Sequence, residues 1–167
     1  MQEMVVYGVS FDMVGKQPIV LLKTTMTNRF LPIWIGHPEA AAILARLQGS
    51  ETPRPMTHDL FASTLVELQA EVVRIAVVEM RESTFYARIT VRRDGEEFEL
   101  DARPSDAIAL ALRCKAPIFA DDDVIEQSAI LMEDEKNVIT AGDPEQLVED
   151  FKQFLEDVRP DEFGADE

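Results

Sequence analysis

Four carboxylates, two arginines and a histidine lie where elements of this chain are expected to begin or end, and they set the chemistry it could perform. Glu39 and Asp106 each follow a proline, Pro38 and Pro104, at the head of an Ala-rich run. Asp59 follows His58 in the first turn of another expected helix, and Asp101 closes an expected strand two residues before Arg103. Metal-assisted phosphodiester hydrolysis needs such a set: carboxylates to hold Mg²⁺ or Mn²⁺, a metal-activated water, and a cation to steady the phosphate. In that scheme Glu39, Asp101 and Asp106 hold the metal, Asp59, Asp106, His58 and Arg103 are catalytic, and Arg54 and Ser105 contact substrate. Each residue also has a plainer role. A first-turn carboxylate offsets the helix dipole by about 0.3–1 kcal/mol, which covers Glu39, Asp59 and Asp106. Asp101 and Arg103 fit a strand-end pair, His58 a capping or packing residue, and Ser105, with no general base beside it, a cap. No phosphate-cradling loop, nucleophile elbow or HExxH motif stands in the sequence.

The elements that must position these groups centre on Leu100 to Arg113, LDARPSDAIALALR. Phe98 and Leu100 alternate with Glu97, Glu99 and Asp101, the period of a half-buried strand. Pro104 stops that strand, Ser105 or Asp106 is placed to cap the next turn, and Ala107 to Leu112 predict a helix buried on most of its surface. Upstream, Val5 to Val9, Ile19 to Lys23 and Arg29 to Ile35 read as strands, with Trp34 in the core or at a subunit interface. Glu39 to Gln48 is a short helix closed by Gly49. Thr57 is read as the N-cap of a helix to about Leu68, with Leu60, Phe61, Leu65 and Leu68 inward. Glu71 to Val78, Thr84 to Val91 and Glu96 to Asp101 are strands, the last two joined by an Arg-Asp-Gly hairpin turn. Val124, Ile125, Ile130 and Leu131 suggest one more short helix, and Leu147 to Val158 a final one after a polar loop.

Shifted by 66 residues, the chain lays Pro38, Ala41, Leu44 and Ala45 on Pro104, Ala107, Leu110 and Ala111. We read a duplicated β-β-β-α-α unit, with repeats at about 4–69 and 70–133, in a domain spanning 1–133 and followed at 134–167 by a linker, an acidic helix and a tail. The fold class is α+β: one curved, barrel-like sheet with helices packed on it.

The net charge of −16 bounds the partners. Residues 1–118 carry 13 Lys or Arg against 15 Asp or Glu, whereas 119–167 carry 3 against 17. A nearly neutral body with an acidic appendage argues against high-affinity, non-specific DNA binding and leaves room for a weakly bound nucleic-acid substrate. The single cysteine, Cys114, excludes an internal disulfide framework and a multi-cysteine zinc site. No apolar run reaches membrane-spanning length, and the first residues lack the pattern of a secretion signal, so we expect a cytoplasmic protein without membrane contact. The apolar surplus predicts a homodimer or higher homo-oligomer.

The same residues carry a family resemblance. LPIWIGHPEAAAI, RPMTHDL, TFYARI and LDARPSDAIALALR followed by API resemble, in that order and over about residues 4–132, the signature blocks of the bifunctional nuclease (BFN) domain family, and most closely its stand-alone actinobacterial type. The resemblance implies a duplicated β3-α2 arrangement around one barrel-like sheet, a homo-oligomer, and nuclease activity of the kind described for plant members on DNA and RNA. A coiled UvrB/UvrC-type motif found after this domain in some relatives is absent. The resemblance carries over the polar set Glu39, Arg54, His58, Asp59, Asp101, Arg103, Ser105 and Asp106, without a role for each. Two readings stand side by side: a metal-dependent nuclease, and a non-enzymatic oligomeric module that binds a small anionic ligand or a partner protein.

Overall fold

Alternating β-branched and apolar residues build two three-stranded antiparallel meanders, β1 (Gln2–Asp12), β2 (Gln17–Thr24) and β3 (Arg29–Trp34), then β4 (Ala70–Arg81), β5 (Thr84–Arg93) and β6 (Glu96–Ala102). The structure is a computed structural model, described over residues 1–12, 15–50 and 52–131. A three-residue strand, β7 (Ile118–Ala120), joins the meanders, parallel to β4 and antiparallel to β1. A two-residue strand, β8 (Ile130–Leu131), pairs with β3. The strand order is β6-β5-β4-β7-β1-β2-β3-β8.

Four helices complete the described chain: α1 (His37–Leu47), α2 (Thr57–Glu67), α3 (Pro104–Cys114) and α4 (Asp122–Ser128). The small residues of α3 explain its central position. Ala107, Ile108, Ala109 and Leu110 are fully buried, and alanines let a helix axis come close to its neighbours on several sides. The helix accordingly packs against α1, α2, β4 and β5. Ile43 and Leu44 of α1, Val20, Leu22, Leu31 and Ile33 of the first meander, and Ile75, Val77 and Ile89 of the second belong to the same apolar core.

Several expectations are corrected. The sheet is open rather than barrel-like, because β6 and β8 end the strand order without pairing to each other. Phe98 and Leu100 are exposed, not half-buried, since β6 is the edge strand and α3 packs on β5 and β4, the next two strands inward. Met56, not Thr57, caps α2, because Asp59 reaches back to the Met56 amide. Of the expected inner face of α2 only Leu65 is buried; Leu60, Phe61 and Leu68 are exposed, because this helix meets α3 and β4 along a narrow strip. Arg103 is the N-cap of α3 and makes no side-chain cap bond, which places Ser105 and Asp106 inside the first turn after Pro104. Trp34 is about half exposed and so is not core. Ile130 and Leu131 leave the helical path and form β8. The expected helix over Leu147 to Val158 and the acidic tail lie outside the described residues.

The Arg-Asp-Gly turn forms as expected. Asp94 and Gly95 both take positive φ, 53° and 84°, the backbone that a two-residue hairpin turn between right-twisted strands demands.

Candidate functional site

Pro38 and Pro104 fix the first turns of α1 and α3, and the packing of those two helices brings their starts together. Arg103, just outside α3, spans the gap. Its Nε and Nη2 donate to Asp106 Oδ2 and Oδ1 at 2.7 and 3.1 Å, and its Nη1 reaches Glu39 Oε1 at 2.9 Å. From α2, His58 Nε2 lies 3.1 Å from Asp106 Oδ1. Four of the predicted residues, from three helix starts, thus form one chain of contacts: Glu39, Arg103, Asp106 and His58.

The environment of each group differs. Glu39 and His58 are largely covered, with 16% and 14% of their side chains exposed, whereas Arg103 is 65% exposed and carries its charge into solvent. Burial works to raise the Asp106 pKa, but hydrogen bonds from Arg103 and His58 outweigh it and hold the carboxyl below its ordinary range. The Arg103 guanidinium is pushed up, chiefly by its hydrogen bonds to Asp106. With Asp106 ionised and acceptor-only, His58 Nε2 is the donor in their contact, and Nδ1 is the other ring nitrogen. Glu39 takes its place by folding back over Gly36, where a Cβ would collide with Glu39 Oε2.

The remaining predicted residues lie elsewhere. The Asp59 carboxylate accepts from the Met56 amide at 2.9 Å and from Arg113 Nε, two helical turns along α3 from Asp106. Burial opposes ionisation of Asp59, yet the Met56 amide and Arg113 together keep its pKa low. Asp101 is exposed on β6, opposite Arg88 of β5. Arg54 is exposed in the loop before α2, and its carbonyl accepts from Thr52 Oγ1 at 2.8 Å. Ser105 is buried to 6% exposure. It lines, with Arg103, Trp34, Ile35, Phe85 and Thr84, an open groove of about 350 Å³ beside the cluster.

Arg113 is a buried partner of Asp59 that the sequence did not point to. Its side chain is 6% exposed, and besides Asp59 it donates to the carbonyls of Ala42 at 3.2 Å and Ala109 at 2.9 Å. The available signal was an arginine in the last turn of an otherwise apolar helix, a position that suits the dipole and the free carbonyls. Among the described residues no group of three or more His, Cys, Asp or Glu is placed to hold a metal ion. Glu39 and Asp106, the two predicted ligands that come close, are both engaged by Arg103, so the three-carboxylate set does not fit a metal site in this arrangement.

Fold and cluster together define an α+β domain with a solvent-open polar site at converging helix starts. The chain matches the bifunctional nuclease domain over residues 20–133. It is 40% identical over 166 residues to the uncharacterized protein Rv1829 of Mycobacterium tuberculosis (strain ATCC 25618 / H37Rv), covering 99% of both chains. It is 31% identical over 110 residues to bifunctional nuclease 1 of Oryza sativa subsp. indica, with 64% of this chain and 33% of that protein covered. With bifunctional nuclease 1 of Arabidopsis thaliana the identity is 28% over 103 residues, covering 60% of this chain and 32% of that protein. The chain therefore belongs to the bifunctional nuclease domain family. It spans about a third of the length of these plant relatives. No helix among the described residues is long and apolar enough to cross a membrane.

Proposed function

We propose that this protein is a nuclease that hydrolyses phosphodiester bonds in DNA or RNA at the Glu39–Arg103–Asp106–His58 cluster. The observation that carries the reading is the His58–Asp106 pair set beside an exposed guanidinium at two helix N-termini. Asp106 fixes the tautomer and orientation of His58, whose Nδ1 takes the proton from an attacking water as the water oxygen bonds to phosphorus; the P–O bond to the leaving sugar oxygen breaks, and that oxygen takes its proton from solvent. Arg103 presents its outer face to the phosphate, and the N-terminal ends of α1 and α3 add partial positive charge where the pentacoordinate phosphorus gains negative charge. Glu39 holds Arg103 from the far side. Asp59 acts at a distance by locking α2, and with it His58, against α3. Mg²⁺ or Mn²⁺ enters as a requirement to be tested, with no step assigned to it.

The test is cleavage of fluorescently labelled single-stranded DNA and RNA by purified protein in Mg²⁺, Mn²⁺ or EDTA, beside His58→Gln and Asp106→Asn variants of wild-type fold. Loss of a general base lowers the rate by about 100-fold or more, so cleavage should fall at least that far in His58→Gln. Full activity in both variants, or none in the parent under any condition, sinks the reading. The second reading, a binding module without catalysis, is favoured by the engagement of both carboxylates with Arg103, which gives each a structural partner. It predicts the second of those outcomes. We also take the protein as cytoplasmic, the two meanders as copies of one unit, and the chain as a homo-oligomer. Exposed Leu60 and Val66 on α2 and Leu68 just after it support the last of these, and a light-scattering mass of one chain counts against it.

A further inference from the structure

Trp34 lies in the last position of β3 and is 52% exposed. A large aromatic side chain left exposed on a sheet carries an unused hydrophobic surface, and here the ring has a defined setting. It lines the 350 Å³ groove together with apolar Ile33, Ile35 and Phe85 and polar Arg103, Thr84 and Gln17. Trp34 Nε1 points to Asp12 Oδ2 at 3.5 Å, which restrains the edge of the indole. The volume is in the range of small-ligand sites and suits a single planar heterocycle better than a helix or a strand of a partner protein.

We propose that this groove is a nucleobase subsite: an unpaired base stacks on Trp34 while its adjoining phosphate meets Arg103. The inference rests on the nuclease reading for its choice of ligand and deepens it by naming single-stranded nucleic acid as the substrate class. Three features of the groove carry it. An aromatic face beside a solvent-exposed guanidinium is the pairing that binds unpaired nucleotides, the face taking any base and the cation taking the backbone. Arg103 belongs both to the groove and to the His58–Asp106 cluster, so a base in the groove brings its own phosphate to the proposed point of attack. In a duplex both faces of a base are stacked on neighbours, so a base reaches Trp34 only from a single strand or by flipping out. The hydroxyl of Thr84 and the amide of Gln17 supply polar contacts at the rim without a fixed donor pattern, which predicts weak base preference.

The protein reports on this site directly, because Trp34 is its one tryptophan. The experiment titrates the full chain in EDTA with a phosphorothioate-linked oligothymidylate, which resists cleavage, and reads the intrinsic fluorescence. The same strand annealed to its complement is the control. Saturable quenching by the single strand, with the duplex at least tenfold weaker, is the expected result. By anisotropy of a labelled strand, Trp34→Ala should bind about tenfold or more weakly, and Trp34→Phe, which keeps an aromatic face, should recover most of the loss. Unchanged fluorescence at saturation, or equal binding by Trp34→Ala and the parent, overturns the proposal. A change of oligomeric mass in Trp34→Ala without a change in strand binding also overturns it and assigns the ring to a subunit interface. Quenching by the phosphorothioate strand, with no cutting of the unmodified DNA or RNA strand in any metal, supports the subsite and refutes the nuclease reading. Cutting without quenching refutes the subsite alone.

Discussion

Replacing Asp59 separates a structural carboxylate from a catalytic one. Asp59 ends in two bonds, one from the Met56 amide at the start of α2 and one from Arg113, whose guanidinium also holds carbonyls of α1 and α3. Truncation to alanine removes the acceptor of the capping amide, worth about 1 kcal/mol. It also strips the 6%-exposed Arg113 of its counter-charge. Removing one partner of a buried pair costs about 3–5 kcal/mol. Asp59 is 35% exposed, and Arg113 keeps both carbonyls; solvent screening therefore brings the charge contribution down to about 2 kcal/mol. Asp59→Ala should lower the unfolding free energy by about 3 kcal/mol and the melting temperature by about 6–12 °C. Asp59→Asn, which retains an oxygen for the Met56 amide, should lose about 2 kcal/mol. Urea unfolding at pH 7 with an unchanged m-value measures both, and a double-mutant cycle with Arg113→Met isolates the pair. A loss under about 1 kcal/mol in Asp59→Ala, with cleavage abolished, would refute the structural assignment and return Asp59 to the reacting centre.

Acid should unfold the protein by way of the same groups. Asp59 and Asp106 both have folded pKa values below the ordinary 3.8, so their stabilisation is complete above about pH 3.8 and is lost as pH falls through the lower folded values. The urea midpoint should hold steady through mildly acidic pH and drop below it, and Asp106→Asn should remove part of that drop; a parent-like profile in the variant counts against the pair. Gly36→Ala should act on the site more than on the fold. Its φ of −77° suits alanine, but the new Cβ displaces Glu39 and frees Arg103 on one side. Stability within about 1 kcal/mol of the parent, together with weakened cleavage or strand binding, is expected; unchanged function in a folded variant argues that Glu39 does not position Arg103.

Elements were legible in the sequence where local chemistry decides them. The prolines at 38 and 104, the alanines of α1 and α3 and the Asp94-Gly95 turn each announce one backbone conformation. Exposure was less legible, because it depends on what packs above. Phe98 and Leu100 alternate as half-buried residues do, yet their strand is the last in the sheet. Leu60 and Leu68 belong to an amphipathic run whose contact strip is only as wide as the seam between α3 and β4 permits. β7 was missed because three residues, Ile118 to Ala120, are too few to show a period. In the site, the carboxylates were identifiable by type but their partners were not. His58 meets Asp106 only through the docking of α2 on α3, and Arg113 takes Asp59 by the same docking. No local pattern in either helix encodes those distances.

The insertion of β7 sets the order in which this molecule can be made. Met4 pairs with Ile118, and Ile118 lies in register with Ile75, so the first strand of each meander waits for residues that leave the ribosome later than both. Until then β1 and β4 each present an unpaired edge, the template on which other nascent chains add. A chain halted before residue 118 would hold all three principal helices and still lack the seam between its halves. Completion of three residues covers one edge of β1 and one edge of β4 and turns the two ribbons into one sheet.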